Sequence, residues 1–68
     1  MNTSREGARI RLIWERGDGE DVEKARAFFV KLTRQGWLAA RRDGEYKRVL
    51  EFKSDYGELW FIPLSEGG

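Results

Sequence analysis

The sequence predicts an α+β domain in which one helix packs on a four-stranded sheet, in the order β-α-β-β-β. Three observations carry this prediction. One long segment has apolar residues spaced three and four apart, a shorter segment before it alternates apolar and polar residues, and an Asp-Gly dipeptide joins two strand-like runs after it. With 68 residues the chain has room for a single domain, so these elements would form a two-layer sandwich.

The first predicted strand covers residues 8–14. Apolar residues occupy every second position, which is typical of a strand with one face toward a core: Ile10, Leu12 and Trp14. The intervening positions would face away from the helix: Arg9, Arg11 and Ile13. Residues 1–7 are polar and show no period, so they are predicted to be a flexible N-terminus.

The helix is predicted from Glu20 to Gln35. Its buried face would consist of the apolar positions at helical spacing: Val22, Ala25, Phe28, Phe29 and Leu32. Asp18 is a suitable N-cap, and the acidic residues that follow it favour a helix start, because the amide dipoles there attract negative charge. Gly36 can adopt the left-handed conformation that closes a helix.

Two strands are predicted on either side of Asp43-Gly44, joined by a tight type I′ turn. A two-residue turn fixes the pairing as Arg42 with Glu45, Ala40 with Lys47, Leu38 with Val49, and Trp37 with Leu50. In this register the residues that share the helix face are Trp37, Ala39, Leu50 and Phe52. Together with the apolar faces of the first strand and the helix, Trp37, Leu50 and Phe52 complete the predicted core.

The last predicted strand covers residues 58–62 and ends at Pro63, which cannot donate a ladder hydrogen bond. The pattern leaves open whether Trp60 and Ile62, or Leu59 and Phe61, face outward. The predicted domain therefore spans residues 8–63, and residues 64–68 are predicted to be a flexible C-terminal tail.

One helix covers one face of a sheet, so the opposite face is left for a partner. That face is predicted to have an apolar centre with a basic rim, formed by Arg9, Arg11, Ile13, Leu38, Ala40, Arg42, Lys47, Val49 and Trp60. Because monomers seldom expose a large apolar patch, we expect another protein or a second copy to cover it. The chain is accordingly predicted to be a non-catalytic interaction module, with a homodimeric adaptor as one alternative.

Composition excludes several classes of chemistry. The chain has neither Cys nor His, which excludes disulfides, thiolate and imidazole metal ligands, and histidine-dependent catalysis. The acids of residues 18–23 lack the spacing of a calcium loop, and Gly17-Asp18-Gly19 has Val22 where a dinucleotide fingerprint needs glycine. We expect no enzyme activity, cofactor or metal. No apolar run is long enough to cross a membrane, so a cytoplasmic location is expected.

Nucleic acid is the first alternative partner, ahead of the homodimeric adaptor. The net charge is only +1, yet residues 24–48 hold eight basic residues against two acidic ones. Arginine side chains contact phosphates, and aromatic side chains on a sheet stack with bases. The interleaved Arg, Trp and Tyr residues therefore indicate a possible nucleic-acid-binding face on the outer side of the sheet.

The C-terminal segment runs from an apolar strand through Pro63 to Gly67-Gly68. A Gly-Gly terminus presents an unhindered carboxylate on a thin arm, which fits a narrow active site. The segment resembles the tail of the ubiquitin-like sulfur carriers, the family of the molybdopterin-synthase small subunit and the thiamine-biosynthesis carrier protein. This resemblance implies that an activating enzyme adenylates Gly68, which is followed by thiocarboxylate formation or conjugation to a lysine. The most specific form of the predicted interaction module is therefore a Gly-Gly-tailed ubiquitin-like modifier or carrier.

Overall fold

The computed structural model of this protein describes residues 1–64 and confirms the α+β class. Its elements are β1 (Asn2–Glu6), β2 (Arg9–Ile13), α1 (Gly19–Arg34), β3 (Trp37–Asp43), β4 (Glu45–Arg48), a short 3-10 helix (Ser54–Tyr56) and β5 (Glu58–Pro63). The sheet has five strands in the order β1-β2-β5-β3-β4, and every neighbouring pair is antiparallel. The prediction of four strands is therefore wrong by one.

The additional strand is β1, within the segment predicted to be a flexible N-terminus. Gly7, with a φ of 67°, forms the turn into β2, and Asn2–Glu6 pair with Arg9–Ile13 over their full length. All five residues of β1 are exposed. An edge strand that is wet on both faces has no apolar alternation, which explains why the sequence pattern did not indicate it.

The helix agrees with its prediction. The Asp18 side chain accepts hydrogen bonds from the backbone N–H groups of Glu20 and Asp21, at 3.0 and 3.2 Å. These bonds satisfy two of the donors that a helix start leaves without partners. At the other end, Gly36 has a φ of 98°, a left-handed value that favours glycine.

The β3–β4 hairpin is paired one residue away from its predicted register. Asp43 pairs with Glu45 and Ala40 with Arg48, so Gly44 alone separates the paired residues at the tip. Gly44 has a φ of 82°, whereas no non-glycine residue within residues 1–64 has a positive φ. A type I′ turn requires positive φ at both central positions, so Asp43 does not form one.

A shift of one residue in register moves each side chain of β4 to the other face of the sheet. Val49 is now on the helix side: its N–H donates to the Ala39 carbonyl at 2.8 Å, and its side chain belongs to the core. Leu50, predicted to be buried, is 78% exposed instead. The prediction that Val49 faces outward and Leu50 inward is wrong for this reason.

The last strand, β5, is the middle strand of the sheet and supplies the most deeply buried side chains. Leu59 and Phe61 point toward the helix and are fully buried, which resolves the choice that the sequence left open. The Phe61 ring meets Phe28 and Phe29 at centroid distances of 5.5 and 6.4 Å, edge to face. Of the other predicted core residues, Phe28, Trp37 and Phe52 are partly buried against the cluster.

Candidate nucleic-acid interface

The outer face of the sheet, defined here as the face opposite α1, is arranged in rows across the strands. Directly paired residues share a face, so the pairs of the ladder place one row over all five strands: Ser4, Arg11, Trp60, Ala40 and Arg48. Arg42 pairs with Tyr46 on the same face, one step along β3 and β4. The two aromatic side chains of the outer face, Tyr46 and Trp60, therefore lie among arginines from β2, β3 and β4.

The aromatic rings and the guanidinium groups are in direct contact. Tyr46 meets Trp60 edge to face at a centroid distance of 5.8 Å. The Arg42 guanidinium lies 5.6 Å from the Tyr46 ring centroid and 5.5 Å from that of Trp60. Arg9 lies over Tyr46 at 5.2 Å, and Arg11 over Trp60 at 5.6 Å. These distances are within the range in which a cation is attracted to the face of an aromatic ring.

Trp60 lies beneath this cluster and is only 5% exposed, although it is on the face away from the helix. Its indole Nε1–H is buried without a hydrogen-bond acceptor among the described residues. Leaving a buried donor without a partner costs roughly 1–3 kcal/mol. The groups around Trp60 are long, rotatable arginine side chains, so a ligand that draws them aside would give the indole access to an acceptor.

The charges of this face are only partly balanced. The Arg11 Nε donates to Glu58 Oε2 at 2.5 Å, which pairs one arginine with one carboxylate. Within residues 1–64, Arg9, Arg42 and Arg48 take part in no ion pair. Three positive charges on the outer face are therefore available to an anionic ligand.

Seven of the nine residues predicted for this face lie on it in the structure: Arg9, Arg11, Ile13, Leu38, Ala40, Arg42 and Trp60. The other two, Lys47 and Val49, are on the opposite face because of the register shift. Sequence reasoning missed Tyr46 and Arg48, which lie opposite Arg42 and Ala40 in the places expected for Glu45 and Lys47. The single-residue tip at Gly44 is the feature that decides between the two sets.

The predicted apolar centre is not an open patch. Ala40 is buried together with Trp60, and Leu38 and Ile62 are only half-buried. Ile13, at 38% exposure, lies near the β1 side of the sheet. The solvent-exposed part of this face therefore combines arginine side chains with the half-buried Tyr46, Leu38 and Ile62, and the expectation of a dimer or adaptor surface stays a prediction.

The remaining candidate sites offer less. Within residues 1–64 no group of three or more acidic side chains is placed to hold a metal ion, and no helix combines the length and apolar character needed to cross a bilayer.

Hydrogen bonds from the Met1 amino group and the Glu15 N–H hold the pKa of the Asp21 carboxyl below its usual value. Gly67 and Gly68, the predicted conjugation tail, lie outside the described residues, and their role stays a prediction.

Comparisons of this chain with protein family models, with curated proteins and with solved structures found no match.

Proposed function

We propose that this domain binds single-stranded nucleic acid through the outer face of its sheet. The observation that carries the proposal is the cluster in which Arg9, Arg11 and Arg42 lie over the rings of Tyr46 and Trp60. Sheet surfaces that bind single strands combine cations for the phosphates with aromatic rings for the bases. This face has both on neighbouring strands.

Arg9 and Arg42 have two ways to act on a bound strand. Each guanidinium can form bidentate hydrogen bonds with a phosphate, and each can stack flat against a base. When a phosphate draws an arginine from the Tyr46 ring, it frees that ring for a base. The phosphate of the nucleic acid then pairs with the arginine in place of the ring. One contact between a cation and the Tyr46 ring is thereby exchanged for a contact between a base and that ring.

A single strand suits the face better than a duplex does. Stacking on Tyr46 requires a base that is not already paired and stacked within a double helix. From β2 to β4 the face spans three strand spacings, about 14 Å. Even at the rise of a stacked strand, about 3.4 Å per nucleotide, this length corresponds to at most about four nucleotides. The proposal therefore concerns a short, sequence-tolerant site.

Fluorescence anisotropy with a labelled oligothymidylate of about five nucleotides tests the proposal, over a series of salt concentrations. We expect Arg9→Gln/Arg42→Gln to lower the salt-dependence slope by about 1.4, since each phosphate contact on a single strand contributes about 0.7. Tyr46→Ala should weaken binding by about 1–3 kcal/mol, which corresponds to about 5- to 150-fold.

The matched control is Lys24→Gln/Lys31→Gln. It removes the same amount of charge from exposed positions of α1, on the opposite side of the sheet. We expect it to bind like the wild type. Wild-type protein that fails to bind at low salt would contradict the proposal. Equal losses in the two double variants would show that overall charge, and not this face, attracts the strand.

A further inference from the structure

A second basic region lies beside the β3–β4 hairpin, on the far side of β4 from the outer face. It is a pocket of about 440 Å³, called here the hairpin pocket. Four basic side chains line it: Arg41, Lys47, Arg48 and Lys53. Asp43 and Glu51 are its acidic members, so positive charge prevails by two.

The basic side chains of the hairpin pocket are not neutralised within the protein. Within residues 1–64, none of the four forms an ion pair with a carboxylate, including the two carboxylates of the pocket itself. The Arg41 guanidinium lies 4.5 Å from the centroid of the Tyr56 ring, which holds it in a defined orientation. Leu50, also lining the pocket, is largely exposed and offers an apolar surface to a base.

The hairpin pocket is continuous with the outer face around strand β4. Arg48 pairs with Ala40 in the outer-face row and also lines the pocket. Lys47, the preceding residue, pairs with Arg41 on the helix side. Since β4 is the last strand at this edge of the sheet, no further strand of the described chain separates the two basic surfaces.

We infer that a bound nucleic acid strand continues around the β4 edge and that the hairpin pocket binds its phosphates. This inference rests on the proposed function of the outer face and extends it. A strand of about five nucleotides occupies the outer face alone, whereas one of about fifteen reaches both surfaces. Arg48 contacts the backbone at the turn between them, and Lys47 and Lys53 contact it inside the pocket.

The test compares these two oligothymidylate lengths in the variant Lys47→Gln/Lys53→Gln. This variant leaves the contact between Arg41 and Tyr56 in place, and it removes as much charge as Arg9→Gln/Arg42→Gln. For the longer strand we expect its salt-dependence slope to fall by about 1.4 from the wild-type value. For the shorter strand we expect the wild-type slope and affinity.

Amide chemical shifts of the wild-type protein provide a second readout that needs no substitution. The longer strand should shift the amides of residues 47–53 in addition to those of the outer face, and the shorter strand should leave residues 47–53 unchanged. Equal wild-type slopes and affinities for the two lengths, or a long-strand complex without shifts at residues 47–53, would overturn the inference. Neither result affects the proposed function. That proposal fails if the wild type does not bind the shorter strand, or if Arg9→Gln/Arg42→Gln binds it as well as the control variant Lys24→Gln/Lys31→Gln does.

Discussion

The register of the β3–β4 hairpin can be tested by truncating two adjacent side chains, Val49 and Leu50. Val49 is 9% exposed and belongs to the core, whereas Leu50 is 78% exposed. Val49→Ala removes two buried carbon groups, each worth about 0.8 kcal/mol, and leaves a small cavity. We therefore expect it to lower the free energy of unfolding by about 2 kcal/mol.

Leu50→Ala removes one more carbon atom than Val49→Ala does, but all the atoms that it removes belong to a side chain that is already exposed to water. Its effect on the free energy of unfolding should stay within about 0.5 kcal/mol. In the register expected from a two-residue turn, Leu50 would face the helix, and Leu50→Ala would then cost about 2–5 kcal/mol. The observed register thus predicts the larger loss of stability for Val49→Ala, whereas the register expected from a two-residue turn predicts it for Leu50→Ala.

Urea denaturation followed by circular dichroism measures both effects. With a slope of about 1 kcal/mol per molar urea for a domain of this size, Val49→Ala should lower the midpoint by about 2 M. Its melting temperature should fall by about 8–16 °C, while that of Leu50→Ala stays close to the wild type. A larger loss for Leu50→Ala than for Val49→Ala would refute the observed register, and with it the placement of Tyr46 on the outer face.

Two further predictions concern the start of α1. Asp18→Ala removes the acceptor of the Glu20 and Asp21 N–H groups and should cost about 0.5–2 kcal/mol in urea denaturation, whereas Asp18→Asn should retain most of the stability. Because the pKa of Asp21 is lower in the folded protein than in the unfolded chain, its contribution to stability is complete above about pH 4 and is lost as the pH falls through the folded-state value. Melting curves of Asp21→Asn should therefore depend less on pH in the acidic range than those of the wild type, and identical pH dependence would contradict this.

The helix was predictable because several local signals agree. Three signals belong to one short stretch of chain: the Asp18 cap, the glycine at position 36, and the three- and four-residue spacing of Val22, Ala25, Phe29 and Leu32. None of them depends on how distant segments pack. Strand β2 was predictable for a similar reason, since its alternating apolar and polar residues indicate which of its sides is buried.

The remaining features depend on contacts that the local pattern does not contain. Asn2–Glu6 become a strand only because β2 offers them hydrogen-bond partners, and their polar side chains show no alternation. The Asp43-Gly44 dipeptide is compatible with more than one type of turn. The turn that forms sets the register, and with it the face of the sheet on which each side chain of β4 lies. Whether Trp60 or Phe61 is turned toward the helix likewise depends on the packing around β5.

The candidate site was predictable in its composition but not in its arrangement. Seven of its residues were expected on one face, yet Trp60, expected to belong to an exposed surface, lies beneath the protein's own arginines. Long side chains can cover aromatic surface that strand alternation alone would count as exposed. For this reason the pattern favoured a protein partner, whereas the polyanionic partner that we propose was suggested by the positions of these arginines.

The central position of β5 has a consequence for biosynthesis. The β1–β2 and β3–β4 hairpins are joined in the sheet only through β5, yet β5 is the last of these strands to leave the ribosome. Until residue 63 has emerged, nothing joins the two hairpins into one sheet, and the helix lacks Leu59 and Phe61 to pack on. Folding of this domain is therefore delayed until translation of β5 is complete, and a messenger truncated upstream of β5 would yield a product for proteolysis rather than a smaller folded domain.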